Sequence, residues 1–177
     1  MKKPIAIIVC TAILSAGIFT ACSKEESKKE DESSETTVEE SVGEDAEETL
    51  PEANTPGTKI YVEFYQKVDY EEDVVKLAET LGTEAITGYE CGVIEVEPGY
   101  LNGFTDSIDG FTEGAMFSPY IGSIPFVGYV FKSDDPEALK STLLGYADPR
   151  WNICTEADET VCEVKGDYVF FVMCPNE

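Results

Sequence analysis

The sequence lacks histidine: none occurs among its 177 residues. Because histidine is the commonest general base and a common metal ligand, its absence excludes the usual serine and cysteine triads and the usual zinc and iron sites. The sequence also lacks any Cys-X-X-Cys pair, so a zinc site would need thiolates from scattered positions. We therefore expect no metal and no cofactor.

Basic residues are scarce as well. The chain has 12 Lys and Arg against 36 Asp and Glu, which gives a net charge of −24. A surface this acidic repels phosphates and anionic lipid headgroups. We expect no nucleic-acid partner, and attachment to a membrane requires something other than charge.

Large apolar side chains are almost missing from residues 23–58, which carry 13 acidic and 3 basic residues. Such a composition cannot offset the entropy of ordering, so residues 22–58 are predicted to form a disordered acidic linker. The simpler interpretation of this linker is a stalk. The alternative is that it binds cations or basic envelope polymers.

The amino terminus has the pattern of an export signal. Lys2 and Lys3 precede an apolar run over residues 4–19, which is slightly short for a membrane span. The segment Phe-Thr-Ala-Cys that ends at Cys22 resembles the lipobox of bacterial lipoprotein signals. That resemblance implies cleavage after residue 21, fatty acylation of Cys22, and anchoring on the extracytoplasmic face of the cell membrane. A plain secretory signal, with Cys22 as an ordinary thiol, is the alternative.

A globular mixture of residues begins at Lys59, and residues 59–177 are predicted to form one small domain. Alternating apolar residues predict a strand over residues 59–66. A helix is predicted from Asp69, as its N-cap, to Leu81, with Tyr70 on its apolar face and Gly82 as its stop. Strands are predicted over residues 89–97 and 124–132.

Further elements follow toward the carboxyl terminus. A second helix is predicted from Asp134, with Leu139, Leu143 and Tyr146 as its apolar face. Residues 159–164 and 168–174 are predicted to form a hairpin. Because residues 168–174 are apolar on both faces, they are expected to form a central strand.

This order of elements predicts an α+β fold: a two-layer sandwich with two helices on one face of a mainly antiparallel sheet. A ferredoxin-like arrangement is one candidate. The connection over residues 98–123 is not assigned. The domain resembles the uncharacterised small domains common on bacterial lipoproteins, a resemblance that implies no activity.

Four cysteines lie in the domain. An exported setting permits two disulfides, and buried free thiols are the alternative. A two-residue hairpin turn would put the last two of them on opposite faces of the sheet. The four residues are Cys91, Cys154, Cys162 and Cys174.

Aromatic residues along the unassigned connection, with a neighbouring Arg-Trp pair, are candidates for a binding surface. The alternative is that the rings turn inward and complete a small core. The candidates are Tyr100, Phe104, Phe111, Phe117, Tyr120, Arg150 and Trp151. Residues 106–113 are rich in oxygen ligands, but their spacing does not match an EF-hand, so an ordinary polar turn is expected there.

These observations favour a non-enzymatic, membrane-anchored domain that binds an envelope protein or a small ligand. The alternative is a carboxylate-dependent enzyme, or an enzyme accessory, that acts on cell-wall or extracellular polymer. A spacer or assembly factor without a small ligand is a third interpretation. A pair of carboxyl groups in a cleft would favour the enzyme, and a shallow aromatic face would favour binding.

Overall fold

The computed structural model describes residue 50 and residues 52–176. The predicted signal peptide, Cys22 and the predicted linker up to residue 49 lie outside the described residues. Within the described part of the chain, no helix is long and apolar enough to cross a membrane.

The described residues form four helices and a five-stranded antiparallel sheet, together with a separate two-stranded ribbon. The α+β class and the mainly antiparallel sheet are thereby confirmed. In chain order the elements are α1 (Pro56–Lys67), α2 (Val74–Leu81), α3 (Glu84–Thr87), β1 (Cys91–Glu95), β2 (Gly99–Tyr100), β3 (Ser107–Ile108), β4 (Glu113–Pro119), β5 (Val127–Lys132), α4 (Pro136–Tyr146), β6 (Glu159–Lys165) and β7 (Tyr168–Cys174).

The strand order in the sheet is β1-β4-β5-β7-β6, and every neighbouring pair is antiparallel. The predicted hairpin is confirmed as β6 and β7, with Lys165 paired to Tyr168 and Gly166 in a left-handed conformation at φ 63°. The predicted central position of β7 is also confirmed, because β7 lies between β5 and β6 and all seven of its residues are buried.

The two-layer arrangement and the ferredoxin-like candidate are wrong. Helices cover both faces of the sheet: α1 and α2 pack on one face, and α4 packs on the other with Ile108 and Phe111 from the connection before β4. A strand that is apolar on both faces needs cover on both faces. The apolar residues on both faces of β7 therefore indicated a third layer.

The predicted strand over residues 59–66 is α1 instead. Ile60, Phe64 and Val68 follow one another at four-residue intervals and are all buried, whereas Val62 is only half-buried. Both a helical and an alternating pattern fit this sequence, and the helix start decides between them. Thr55 caps α1 and Pro56 occupies its first turn, so the fold also includes residues that the sequence assigned to the linker.

The predicted helix before Gly82 is confirmed as α2, but its start is wrong. Asp73 is the N-cap, and its carboxylate accepts the backbone amides of Val75 and Lys76. Asp69 instead forms an ion pair of 2.7 Å with Lys165, and Tyr70 is exposed. The capping preference of Asp fits both positions, and the tertiary partner of Asp69 decides between them.

The remaining predicted elements are confirmed with shorter bounds. The strands predicted at 89–97 and 124–132 are β1 and β5, and the second predicted helix is α4. Leu139 and Leu143 are buried on α4, whereas Tyr146 is exposed, so it does not belong to the buried face. The unassigned connection contains the ribbon β2–β3 and the inner strand β4.

Candidate binding surface

The fold buries some of the seven residues predicted to form a binding surface and leaves the others accessible. Phe104, Phe111 and Phe117 turn inward: Phe104 lies 4.8 Å from Phe171 and Phe111 lies 4.7 Å from Phe131, measured between ring centroids. Phe117 is completely buried between the sheet and α2. For these three residues the core interpretation is correct.

The other aromatic residues remain accessible. Tyr120 is 73% exposed and Tyr100 is 83% exposed, while Trp151 is half-buried against the core around α4. Two isoleucines that the sequence did not single out join them: Ile121 is 64% exposed and Ile153 is 98% exposed. We call Tyr120, Ile121, Trp151 and Ile153 the sheet-end surface.

The sheet-end surface forms where β4 ends and the chain turns toward β5. Pro119 is the last residue of β4, and β5 begins only at Val127, so the residues between them leave the sheet. The Tyr120 ring lies directly above Gly92, where a Cβ atom would come within 3.0 Å of it. A glycine in the edge strand therefore makes room for this tyrosine.

Side-chain hydrogen bonds hold this turn in place. The Nδ2 atom of Asn152 donates to the carbonyls of Gly122 (2.8 Å) and Ile124 (3.2 Å). The hydroxyl of Thr155 donates to the carbonyl of Ser123 at 3.0 Å. These bonds tie the β4–β5 connection to the segment that carries Trp151 and Ile153. The residues of the surface thus come from two connections that are hydrogen-bonded to each other.

Two shallow depressions meet at the sheet-end surface. One, of about 250 Å³, is lined by Trp151, Asn152 and Phe126, and the other, of about 300 Å³, by Tyr89, Tyr120 and the carboxylates of Glu84 and Glu90. Both are lined by Pro119, Ile121 and Ile124. They therefore form one continuous shallow track, partly apolar, with Glu84 and Glu90 on one side.

Arg150 does not neutralise that acidic side. Its guanidinium lies 3.6 Å from the carboxylate of Glu156, and both side chains are largely exposed. The Arg-Trp pair of the sequence analysis is therefore divided: Trp151 lines the depression, and Arg150 engages an acidic neighbour within the same connection.

The helix that follows the linker begins at this same end of the sheet. The carboxylate of Glu159, at the start of β6, accepts the hydroxyl of Thr55 and the backbone amide of Gly57 at 2.9 Å. Pro56 also lines a depression with Tyr89 and Cys174. An anion at a helix start is favoured by the helix dipole and by the free amides there. Helix α1 thus begins beside the sheet-end surface.

The four cysteines of the domain are free thiols. Cys162 and Cys174 lie on opposite faces of the sheet, since Cys162 belongs to the core under α4 and Cys174 to the core under α1. This is the geometry expected for a two-residue hairpin turn. Burial raises the pKa of Cys162 to about 12, and burial, with Glu159 second, raises the pKa of Cys174 to about 12.

We expect native alkylation at pH 8 to separate these thiols. Cys154 is exposed and should react, whereas Cys162 and Cys174 should react only after unfolding, because a buried neutral thiol is a poor nucleophile. Mass spectrometry of the alkylated chain, with and without denaturant, measures this difference. Equal labelling of all three without denaturant would contradict the buried positions.

The two buried thiols, Cys162 and Cys174, make the free energy of unfolding depend on pH. Their folded pKa values lie above the unfolded value of roughly 8.5, so unfolding at high pH releases protons. Their contribution to stability is complete below about pH 8.5 and is lost as the pH rises toward 12. Urea titrations from pH 7 to pH 10 should show the unfolding free energy decreasing only in the upper part of that range.

The oxygen-rich segment 106–113 contains β3, a turn and the first residue of β4. Asp106 accepts the amide of Ser107 at 2.7 Å, and Ile108 and Phe111 are buried. Within the described residues, no group of three or more acidic or cysteine side chains is placed to hold a metal ion. The polar-turn interpretation fits this geometry.

Comparison with known proteins gives no relative. No family model matches the chain, and neither a curated protein nor a solved structure is significantly similar to it. Function must therefore be argued from this surface and from the sequence. Ile153 was missed because it belongs to no periodic pattern: it lies between Asn152 and Cys154 in a connection without regular secondary structure.

Proposed function

We propose that this protein is a lipid-anchored extracytoplasmic binding protein, and that the sheet-end surface is where a partner from the cell envelope binds. The lipobox that ends at Cys22 supports the anchor, because two acyl chains give stable attachment where charge cannot. The observation that carries the binding role is the exposed pair Tyr120 and Ile121 on a connection fixed by Asn152.

Fixed, exposed apolar side chains are typical of binding surfaces. An aromatic residue at an interface buries a large area and loses little conformational entropy on binding. A connection that is already held by hydrogen bonds reduces the ordering cost further. The depressions on both sides of Ile121 offer pockets for side chains of the partner.

The enzyme alternative has less support on these residues. Acid–base catalysis on a glycosidic bond needs a carboxyl group whose pKa is raised, and burial is a common cause of such a shift. Glu84 and Glu90 are the two carboxylates that line the depression beside Tyr120, and both are exposed. A shallow, partly apolar track with exposed carboxylates is better suited to holding a partner than to hydrolysing one.

Two measurements test the proposal. Labelled fatty acid should enter the wild-type chain and not Cys22→Ser, which should lose firm membrane attachment. Affinity capture from envelope extract with the full chain should recover a partner that Tyr120→Ser/Ile121→Ser reduces at least tenfold. Tyr70→Ser is the matched control, since Tyr70 is also exposed (89%, against 73% for Tyr120) but belongs to the connection before α2.

The outcomes are distinct for the two parts of the proposal. Membrane attachment that survives Cys22→Ser would refute the anchor. A partner that is retained equally by the double variant and by Tyr70→Ser would refute the assignment of the surface. Failure to capture any specific partner with the wild-type chain would refute the binding role.

A further inference from the structure

Strand β1 is an edge of the five-stranded sheet, and part of its outer backbone is unpaired among the described residues. Val96 donates its amide to the carbonyl of Gly114 (2.9 Å), and the amide of Tyr120 donates to the carbonyl of Glu90 (3.4 Å). With β1 in register on β4, alternate residues of β1 direct their backbone toward β4. Gly92 and Ile94 therefore face β4.

The remaining residues of β1 direct their backbone groups away from the sheet. The amide of Cys91 confirms this direction, because it donates to the carbonyl of Gly82, outside the sheet, at 3.2 Å. The amides and carbonyls of Val93 and Glu95 have no hydrogen-bond partner among the described residues. They form a row of two donors and two acceptors at the spacing of a β-ladder.

The opposite edge strand, β6, differs from β1 in its cover and in its charge. Helices α1 and α4 both pack against β6. The charged residues of β6 are also engaged: Glu163 pairs with Lys140 and Lys165 pairs with Asp69, each at 2.7 Å. Charged side chains and covering helices are the usual means of blocking an edge strand, and β1 has a single charged residue, Glu95.

The charge around β1 selects the partner. Residues 77–131, which include β1 and its neighbour β4, contain eight acidic residues and no Lys or Arg. In α2, which also packs against β1, the ammonium of Lys76 is paired with Asp73 at 3.8 Å. Glu90, Glu95 and Glu97 lie on or beside the strand and are exposed. Such an edge repels a second copy of itself and attracts a basic chain.

We propose that β1 accepts an extended, Lys- or Arg-bearing segment of a partner protein as an additional antiparallel strand. This inference deepens the proposed function and rests on it for the location of the partner. Val93 and Glu95 supply the backbone ladder. Ile94 is 55% exposed and lies two residues from Gly92, which the Tyr120 ring covers. The Ile94 side chain and the Tyr120 ring therefore contact one face of the added strand. The acidic side chains pair with its basic residues.

The test uses the full mature chain from residue 22, with Cys22→Ser for solubility, and a blocked heptapeptide of alternating Lys and Val. Fluorescence anisotropy at low salt should show saturable binding. N-methylation of the peptide at alternate residues on its hydrogen-bonding edge should weaken binding at least tenfold, because it removes the ladder donors. Replacing the peptide's Lys by Glu should abolish binding.

A pair of protein variants isolates the backbone of β1. Val93→Pro removes one outward amide and leaves the β4 ladder intact, and it follows Gly92, which tolerates a proline after it. Val93→Ala removes the same side chain and keeps the amide. Binding should be about tenfold weaker for Val93→Pro than for Val93→Ala, at similar melting temperatures. The N-methylated peptide tests the same ladder if Val93→Pro does not fold.

Several results would overturn the inference: equal binding of the N-methylated peptide, equal binding of the Glu peptide, or a wild-type dimer that forms through β1. These failures are separate from those of the proposed function. If the peptide fails while Tyr120→Ser/Ile121→Ser still loses the envelope partner, strand addition is refuted and the sheet-end surface stands. If Cys22 is not acylated, peptide binding is unaffected.

Discussion

Gly128→Ala should destabilise the domain by about 3 kcal/mol, since overpacking a closed core forces side chains and backbone apart. Gly128 lies in β5 directly opposite Phe117 on β4. A Cβ atom at this position would overlap the Phe117 ring, which is completely buried and has no free space to move into. The ring covers the glycine across the strand pair, an arrangement that also pins the register of an antiparallel ladder.

Gly145→Ala is the control for that substitution. Gly145 lies in the last turn of α4, and nothing is within 4 Å of an added Cβ atom. The same chemical change should therefore stabilise the domain by about 0.5–1 kcal/mol through helix propensity. Urea denaturation of both variants measures the difference. A Gly128→Ala variant as stable as the wild type would show that Phe117 does not occupy this position.

Phe171→Ala should cost about 3–5 kcal/mol, the usual range for removing a buried phenylalanine. Phe171 is completely buried in the middle of β7, where it is paired with Tyr129 on β5 and Cys162 on β6. Its ring also lies 4.8 Å from Phe104 in the connection between β2 and β3. Truncation therefore leaves a cavity and releases this connection, so amide exchange around Phe104 should become faster.

Tyr100→Ala serves as its counterpart. Tyr100 is exposed in β2, so truncating it should change the unfolding free energy by less than about 0.5 kcal/mol. The two variants together test the division of the aromatic residues into a core set and an accessible set. A large loss of stability for Tyr100→Ala, or a small loss for Phe171→Ala, would contradict that division.

Several elements were predictable because their signals are local. Helix α4 begins with Asp135 and Pro136, and its buried leucines recur at four-residue spacing. The hairpin of β6 and β7 has a glycine where the turn needs a positive φ. Caps, turns and periodicity of this kind depend on a few neighbouring residues, so they can be recognised without the fold.

Other elements depended on partners far away in the sequence. Strand β4 contains Gly114, Ser118 and Pro119, which weaken its local pattern, and it is held as an inner strand because Phe117 fits over Gly128. The helix α1 was predicted as a strand because its apolar residues fit both periods. The capped helix start at Thr55 and Pro56, together with packing against α2 and the sheet, selects the helix.

For the candidate site, too, some features could be predicted from the sequence and others depended on the tertiary structure. The chain's excess of acidic residues, its lack of histidine and the lipobox-like segment that ends at Cys22 are properties of the sequence alone, and the expectations about location, partners and chemistry rest on them. Which aromatic rings are accessible, and which edge of the sheet is open, was decided by the tertiary structure. Exposure is set by what packs against a residue from elsewhere in the chain, and no local pattern specifies that.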